Sequence, residues 1–146
     1  MKLDEHTRLK AGIYSTRIRN IIDIVANFYG LKPADVCSRS RDTGIVFARQ
    51  LAQYLAYKRL QPAGCSLAAV GVVTSNGNRV HYDHSTVLNS IKAVTQYKIL
   101  KRNGDPVYPD RYAEIIQLES RVFQAVTTGV EEDMEAFARH HGDFLN

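Results

Sequence analysis

The sequence predicts an all-α fold, a bundle of helices, on three observations. Apolar residues recur at steps of three and four along most of the chain, which is the spacing of one helix face. Gly, Pro, Asn and Asp stand between the apolar stretches, where helices begin and end. No segment has the alternating pattern of a sheet strand, and no internal repeat is present. With 146 residues, 45% of them hydrophobic, the chain can bury one core.

The first long helix is predicted to end at Gly30. Its apolar face is formed by Ile18, Ile21, Ile22, Val25, Phe28 and Tyr29. Gly30 followed by Leu31 is typical of a left-handed residue that ends a helix, with a hydrophobic contact beyond it. Pro33 then begins a single helical turn, PADVC, before the polar loop SRSRDTG at residues 38–44.

The third predicted helix spans about residues 45–60, with Asp42 or Thr43 as its N-cap. One of its faces is made mostly of small residues, which permits close helix packing: Ala48, Leu51, Ala52, Leu55 and Ala56. Ser66 caps a short fourth helix, SLAAVGVVT. Within that helix, Gly71 is expected to allow the close approach of a neighbouring backbone.

The fifth helix is predicted to begin after Asp83, its N-cap, and to end at Asn103-Gly104. One side of it is marked by Val87, Ile91, Val94 and Lys98. The preceding connection, SNGNRVHY, contains Asn76-Gly77, a tight-turn signal that favours either a small protruding hairpin or an ordered loop. A sixth helix is expected to end near Gly129, and a short last helix covers residues 131–141.

The charge of the chain differs between its two parts. Residues 1–102 carry 16 Lys and Arg against 6 Asp and Glu, a net +10, whereas residues 103–146 carry 3 against 9, a net −6. We therefore divide the chain into a basic body and an acidic helical extension. A basic body favours nucleic acid as partner, and a membrane surface is disfavoured because no Lys-rich amphipathic helix is present. A basic protein that binds neither stays an open alternative.

The cysteines and the apolar runs indicate an intracellular protein. Cys37 and Cys65 lie far apart, and a chain of this size needs no disulfide, so we expect reduced, buried thiols. No apolar run follows the first residues, and none approaches the roughly 18 residues of a membrane span. We expect a cytoplasmic protein without a membrane segment and without a cofactor.

The stretch YDHSTVLNSIK at residues 82–92 carries the main functional signal. Asp83 caps a helix whose first turn contains His84, Ser85 and Thr86. A helix N-terminus has unsatisfied N–H groups and a partial positive charge, which favour an anion such as phosphate. Small polar residues there, after a shorter helix and a turn, also suit a helix-turn-helix, whose second helix enters the major groove.

Rival interpretations of this stretch are a plain helix cap, a zinc site and a catalytic cluster. RVHYDH resembles the HxHxDH run of zinc hydrolases, but Arg79 occupies the first ligand position and cannot bind zinc. Neither Ser66 nor Ser85 lies in a GxSxG elbow, and no GxxxxGK[ST] loop for nucleotide phosphates is present. We therefore predict that the chain is not an enzyme, while a plain cap stays open at this point.

Three segments together resemble the C-terminal DNA-binding domain (domain IV) of the bacterial replication initiator DnaA. They are IVANFYGLKPADVCSRSRDTGIVFARQLAQYLAYKRL, then SLAAVG, then DHSTVLNSIK, and the resemblance covers about residues 18–98. Its most specific parts are ARQ in the third helix and DHSTV at the start of the fifth. The resemblance implies a Trp-repressor-like helix-turn-helix bundle, here with extra C-terminal helices, that recognises a short duplex site, the DnaA box in that family.

The resemblance also implies roles for individual residues. Arg41 matches an arginine that enters the minor groove, and Arg49 and Gln50 match phosphate and groove contacts. The matches at the major-groove edge are Asp83, His84 and Ser85, while Thr86 matches a backbone-contacting threonine. Further candidate DNA-binding residues on or beside the same elements are Arg39, Ser66, Arg79, Asn89 and Lys92. An arginine loop suits a narrow, negative groove, and an aspartate can accept from a cytosine amino group.

The sequence departs from the family pattern in three places. Tyr82 stands where a basic residue usually precedes the aspartate, so one DNA contact is lost or replaced by packing. The connection before it is longer than usual, and our hypothesis is that Asn78, Arg79 and His81 reach the DNA backbone from it, against the alternative of a solvated loop. The 146 residues contain no ATPase module, so we expect a stand-alone regulator of replication or transcription.

Two further alternatives stay open. A helical adaptor would use the same fold to bind proteins through Leu118, Phe123, Met134 and Phe137. A small enzyme is disfavoured because no convergent catalytic set is found. The acidic extension is expected to pack on the basic body, to compete with DNA, or to bind a protein partner or a second copy of the chain, and the sequence does not choose among these.

Overall fold

The computed structural model describes residues 4–75 and 82–126. In these two stretches the chain forms six helices and a 3-10 turn at Gln61–Ala63, with no strand beyond one isolated bridge. The all-α prediction is confirmed. The helices are α1 (Glu5–Tyr29), α2 (Pro33–Val36), α3 (Thr43–Leu60), α4 (Leu67–Ser75), α5 (His84–Gln96) and α6 (Pro109–Ala125).

The predicted helix boundaries at the caps are confirmed. Gly30 ends α1 with a φ of 68°, a left-handed conformation that glycine adopts without strain. Asp42 caps α3 by accepting from the Gly44 and Ile45 amides at 3.0 and 3.2 Å. Ser66 caps α4 by accepting from the Ala69 amide at 3.1 Å. These caps fix where the polar loop between α2 and α3 ends and where α4 begins.

The core surrounds α3, which packs against α1, α4, α5 and α6. The small-residue face of α3 lies at its centre, where Ala48, Ala52 and Ala56 are fully buried. Small side chains let helix backbones approach closely, so four helices can share one central partner. The apolar positions of α1 and α5 complete the same cluster.

The acidic part of the chain shares this core. Ile115, Leu118 and Val122 on α6 are buried in the same cluster as the residues of the basic body. The Glu119 carboxylate accepts from Tyr54 Oη at 2.8 Å and from Lys98 Nζ at 3.1 Å, and it also pairs with Lys58. Through Glu119, therefore, α6 places one negative charge between two cations of the basic body.

One helix start was not predicted from the sequence, and one predicted helix end is wrong. The N-terminal helix begins at Glu5, earlier than its core pattern, because Asp4 caps it by accepting from Thr7 N at 2.7 Å. The prediction that the fifth helix runs to Asn103-Gly104 was wrong, since α5 ends at Gln96. Tyr97 instead packs edge-on between the rings of Phe47 and Tyr108, at centroid distances of 5.3 and 5.2 Å.

The chain after Tyr97 forms a tight turn instead of helix. Leu100 and Pro106 form an antiparallel bridge, and the Lys101 amide donates to Asp105 O at 2.7 Å. Gly104 lies within this turn with a φ of 94°, so the glycine signal marked a left-handed residue but not a helix end. The predicted helix end near Gly129 and the helix at residues 131–141 lie outside the described residues, because α6 is followed only as far as Val126.

Both cysteines are free thiols and are buried, as predicted. Burial raises the pKa of Cys37 and of Cys65 to about 11, so neither is a reactive thiolate at neutral pH. None of the helices in residues 4–75 and 82–126 is long and apolar enough to cross a membrane.

Candidate nucleic-acid interface

The start of α5 is capped by an aspartate and faces solvent. Asp83 Oδ1 accepts from the Thr86 amide at 2.8 Å and from the Thr86 hydroxyl at 3.0 Å. The hydrogen bond from the Thr86 amide, followed by the one from the Thr86 hydroxyl, holds the pKa of Asp83 below its usual value, so the carboxylate is ionised at neutral pH. Asp83, His84, Ser85 and Thr86 are all exposed, so the tip of the helix is available for contact.

The two sides of α5 have different compositions. Val87, Ser90 and Val94 are buried against the rest of the bundle. Ser85, Asn89 and Lys92 are exposed and follow one another at steps of four and three, which places them on one face. The exposed face thus presents hydroxyl, amide and ammonium groups, which can donate to phosphates or to base edges.

A buried polar network holds α5 against α3 and α4. Gln53 is fully buried on α3; its Nε2 donates to Thr74 Oγ1 at 3.0 Å, and its Oε1 accepts from the Ser90 hydroxyl at 2.6 Å. The Thr74 hydroxyl donates in turn to Val70 O at 2.8 Å. A satisfied network inside an apolar core favours one orientation of its helices. This network was not predicted from the sequence, in which Gln53 and Ser90 are polar residues next to apolar positions of α3 and α5.

The loop between α2 and α3 carries two exposed arginines, Arg39 and Arg41, and is held by α3. From α3, Arg49 Nε donates to Val36 O at 3.0 Å, and Arg49 Nη2 donates to Ser40 O at 3.1 Å. Arg49 therefore uses two N–H groups to hold the loop in place, a role that was not predicted from the sequence. Its predicted contact with DNA stays a prediction.

Tyr82 connects this loop to the start of α5. Its hydroxyl donates to Ser38 O at 2.9 Å. The guanidinium groups of Arg39 and Arg49 lie over its ring, 5.4 and 5.6 Å from the centroid. Because Asp83 follows directly, Tyr82 brings the loop at Ser38 and Arg39 next to the start of α5.

The approach of α4 to this connection requires a glycine. A Cβ built on Gly71 would lie 1.9 Å from Tyr82 O, so any larger residue would displace the backbone that enters α5. The close backbone approach predicted at Gly71 is confirmed. Gly71 thereby sets the distance between α4 and the first turn of α5.

The remaining predicted site residues lie at varied positions. Gln50 is half-exposed on α3, directly after Arg49. The Ser66 hydroxyl oxygen is engaged as the cap of α4. Asn78, Arg79 and His81 lie outside the described residues. Among residues 4–75 and 82–126, no group of three His, Cys, Asp or Glu side chains is placed to hold a metal ion.

A helix whose exposed polar N-terminus follows a shorter packed helix, inside an all-α bundle, defines a helix-turn-helix protein, with α4 and α5 as the two helices. Comparison with protein families gives the particular class. The family described as the bacterial dnaA protein helix-turn-helix matches residues 18–94, more than half of the chain. The chain therefore belongs to this family of DNA-binding domains.

Curated relatives agree with the family. The chain is 33% identical over 87 residues, 60% of its length, to chromosomal replication initiator protein DnaA 2 of Chlamydia caviae. It is 38% identical over 77 residues, 53% of its length, to chromosomal replication initiator protein DnaA of Paraburkholderia phymatum. The aligned segments cover only 16% and 13% of those two proteins. No solved structure gives a significant match.

Proposed function

We propose that the chain binds double-stranded DNA sequence-specifically, with the first turn of α5 in the major groove and the Arg41 loop in the minor groove. The observation that supports this best is the contact of Tyr82 with Ser38, Arg39 and Arg49. This contact brings the cationic loop close to an exposed polar helix tip, which suits duplex DNA because its narrow negative groove lies next to a wide one.

Each group of side chains has a distinct task in this proposal. His84 and Ser85 contact base edges, and Asp83 accepts from a base amino group while it caps α5. Arg41 inserts into the minor groove, where a narrow groove strengthens the negative potential. Phosphate contacts that fix the register come from Arg39, Arg49, Gln50, Ser66, Arg79, Thr86, Asn89 and Lys92. The target is a short duplex of the DnaA-box type, and the role is regulation of replication or transcription.

The salt dependence of binding tests the proposal. Duplexes bound by the chain are first selected from a random pool, and affinity is then measured at two salt concentrations. If about five cations meet phosphates, affinity falls by several hundredfold between roughly 50 and 200 mM salt. Enrichment of one short sequence is the expected result of the selection. No enrichment, or an affinity that does not change with salt, would contradict the proposal.

The second candidate function is a helical adaptor, favoured by one observation on α6. Phe123 is 67% exposed, and the guanidinium of Arg59 lies 4.5 Å from its ring centroid. Leu118, by contrast, is fully buried and belongs to the core, so it cannot be an adaptor contact as predicted. Met134 and Phe137 lie outside the described residues. Phe123→Ser leaves DNA affinity unchanged under the leading proposal and removes protein or self-association under the second.

A further inference from the structure

Tyr82 is where four parts of the molecule meet. Its hydroxyl is bonded to the loop at Ser38 O, and its ring lies under the guanidinium groups of Arg39 and of Arg49 on α3. Its backbone carbonyl lies against Gly71 of α4. The next residue, Asp83, is the N-cap of α5. Both the main chain and the side chain of Tyr82 are therefore fixed by partners that are distant in sequence.

The contacts of Tyr82 restrict how the loop can move relative to α5. The loop is otherwise tied to α2 and α3, through the bonds from Arg49 to Val36 O and Ser40 O. The Tyr82 hydroxyl adds a bond from the chain that enters α5, 44 residues away in sequence. A guanidinium over an aromatic face adds attraction without fixing a single geometry, whereas the hydroxyl bond is directional. The hydrogen bond thus sets the register between loop and helix.

We propose that Tyr82 is a positioning residue for specificity: it holds the Arg41 loop and the first turn of α5 at the spacing at which both grooves of a duplex are contacted together. This inference rests on the proposed function. Tyr82 carries no charge and its hydroxyl is used within the protein, so it acts through Arg41 and α5 rather than through its own contact with DNA. Preorganisation of this kind raises the affinity for the correct duplex by reducing the ordering cost of binding.

Tyr82→Phe tests the proposal because it removes the hydroxyl and keeps the ring. The matched control is Tyr14→Phe, since the Tyr14 hydroxyl donates to Ala63 O at 2.6 Å, a bond of the same kind away from the loop. In the free protein, Tyr82→Phe is expected to speed hydrogen exchange of the Ser40 and Asp42 amides by about fivefold, the worth of one hydrogen bond. Tyr14→Phe leaves these two amides unchanged.

The preference for the selected duplex over random duplex is the quantity that a change at a merely structural residue would leave unaltered. Tyr82→Phe is expected to weaken binding of the selected duplex by about fivefold and to leave random duplex and the salt slope unaltered. Added to Arg41→Ala, it has less than about a twofold further effect, because the two act through one contact. Tyr14→Phe leaves the preference for the selected duplex intact.

The outcomes separate this inference from the proposed function. An equal loss on selected and random duplex would show that Tyr82 contacts phosphate itself, and full additivity with Arg41→Ala would show that it does not act through the loop; either result overturns the proposal. If Tyr82→Phe leaves hydrogen exchange of the Ser40 and Asp42 amides unchanged in the free protein, the proposal about Tyr82 is also overturned. The wild-type chain could prefer no duplex while hydrogen exchange of the Ser40 and Asp42 amides still responds to Tyr82→Phe. In that case the proposed function fails, and only the role of Tyr82 in holding the loop is supported.

Discussion

The Ser90 hydroxyl on α5 donates to Gln53 Oε1 on α3 at 2.6 Å, and both residues are buried. Gln53 also donates to Thr74 on α4, so this one side chain on α3 links α3 to both α4 and α5. In a core that is otherwise apolar, such a network favours the single packing in which every polar group has its partner. The exposed tip of α5 depends on this arrangement for its position.

Gln53→Met removes both hydrogen bonds at nearly constant volume. We expect it to lower the free energy of unfolding by about 1 to 3 kcal/mol, because Ser90 and Thr74 lose a buried partner. Urea denaturation measures the change. The control Gln117→Met, on the exposed side of α6, should stay within about 0.5 kcal/mol. If the two variants were equally stable, the network would not contribute to the fold.

Gly71→Ala and Gly12→Ala should change stability in opposite directions. At Gly71 the new Cβ meets Tyr82 O, so we expect a loss of about 1 to 3 kcal/mol from overpacking. At Gly12, inside α1, a new Cβ meets nothing within 4 Å, so the better helix propensity of alanine adds about 0.5 to 1 kcal/mol. Thermal unfolding of both variants tests this. A Gly71→Ala protein as stable as wild type would mean that α4 and the entry to α5 are not in close contact.

Glu119→Gln should destabilise the protein in a pH-dependent way. Burial alone would raise the pKa of Glu119, but hydrogen bonds from Lys58, Tyr54 and Lys98 outweigh it and lower that pKa below its usual value. A lowered folded pKa gives stability that is present above the unfolded pKa and lost as pH falls through the folded one. We expect Glu119→Gln to cost about 2 kcal/mol at pH 7, because two lysines lose their carboxylate.

Unfolding free energies measured from neutral to acidic pH provide the check on Glu119. The difference between wild type and Glu119→Gln should shrink as pH falls through the lowered pKa of the carboxyl. A difference that stayed constant over this range would show that the cost comes from packing and not from the ion pairs.

Asp83→Ala and Asp4→Ala compare two similar caps. Asp4 accepts hydrogen bonds from Thr7 N and Oγ1, and Asp83 accepts them from Thr86 N and Oγ1. In both carboxylates, the hydrogen bond from the backbone amide is the main cause of the lowered pKa. Both changes should lower stability at neutral pH, and this loss should vanish in acid as the carboxylates protonate. Only Asp83→Ala should weaken DNA binding. Equal DNA affinities of the two variants would mean that the tip of α5 lies away from the duplex.

The sequence predicted the features that depend on local chemistry. Gly30, Asp42, Ser66 and Asp83 mark helix ends because a cap is satisfied by residues within one turn. The end of α5 could not be predicted in this way: its C-cap, Tyr97, packs against Phe47 and Tyr108, and the chain turns after it. Tertiary contacts between distant residues leave no periodic signal in a single sequence.

In the candidate site, too, local features could be predicted from the sequence and contacts between distant residues could not. Its exposed tip followed from the composition of residues 83–86, whereas its supports depend on pairs far apart in the chain. Arg49 holds the loop through Val36 and Ser40, and Tyr82 reaches Ser38 across 44 residues. The departure noted at Tyr82 indicated that packing could replace a DNA contact, but not which partners it would bind.

The most direct test measures the ratio of affinities for the selected duplex and a scrambled duplex, in the wild type, in His84→Ala and in His6→Ala. His6 is the matched control, because it is an exposed histidine in the first turn of α1. The ratio should fall for His84→Ala by the equivalent of about 1 to 3 kcal/mol and stay unchanged for His6→Ala. If His84→Ala weakened both duplexes equally, the first turn of α5 would not recognise bases, and this assignment of the interface would be wrong.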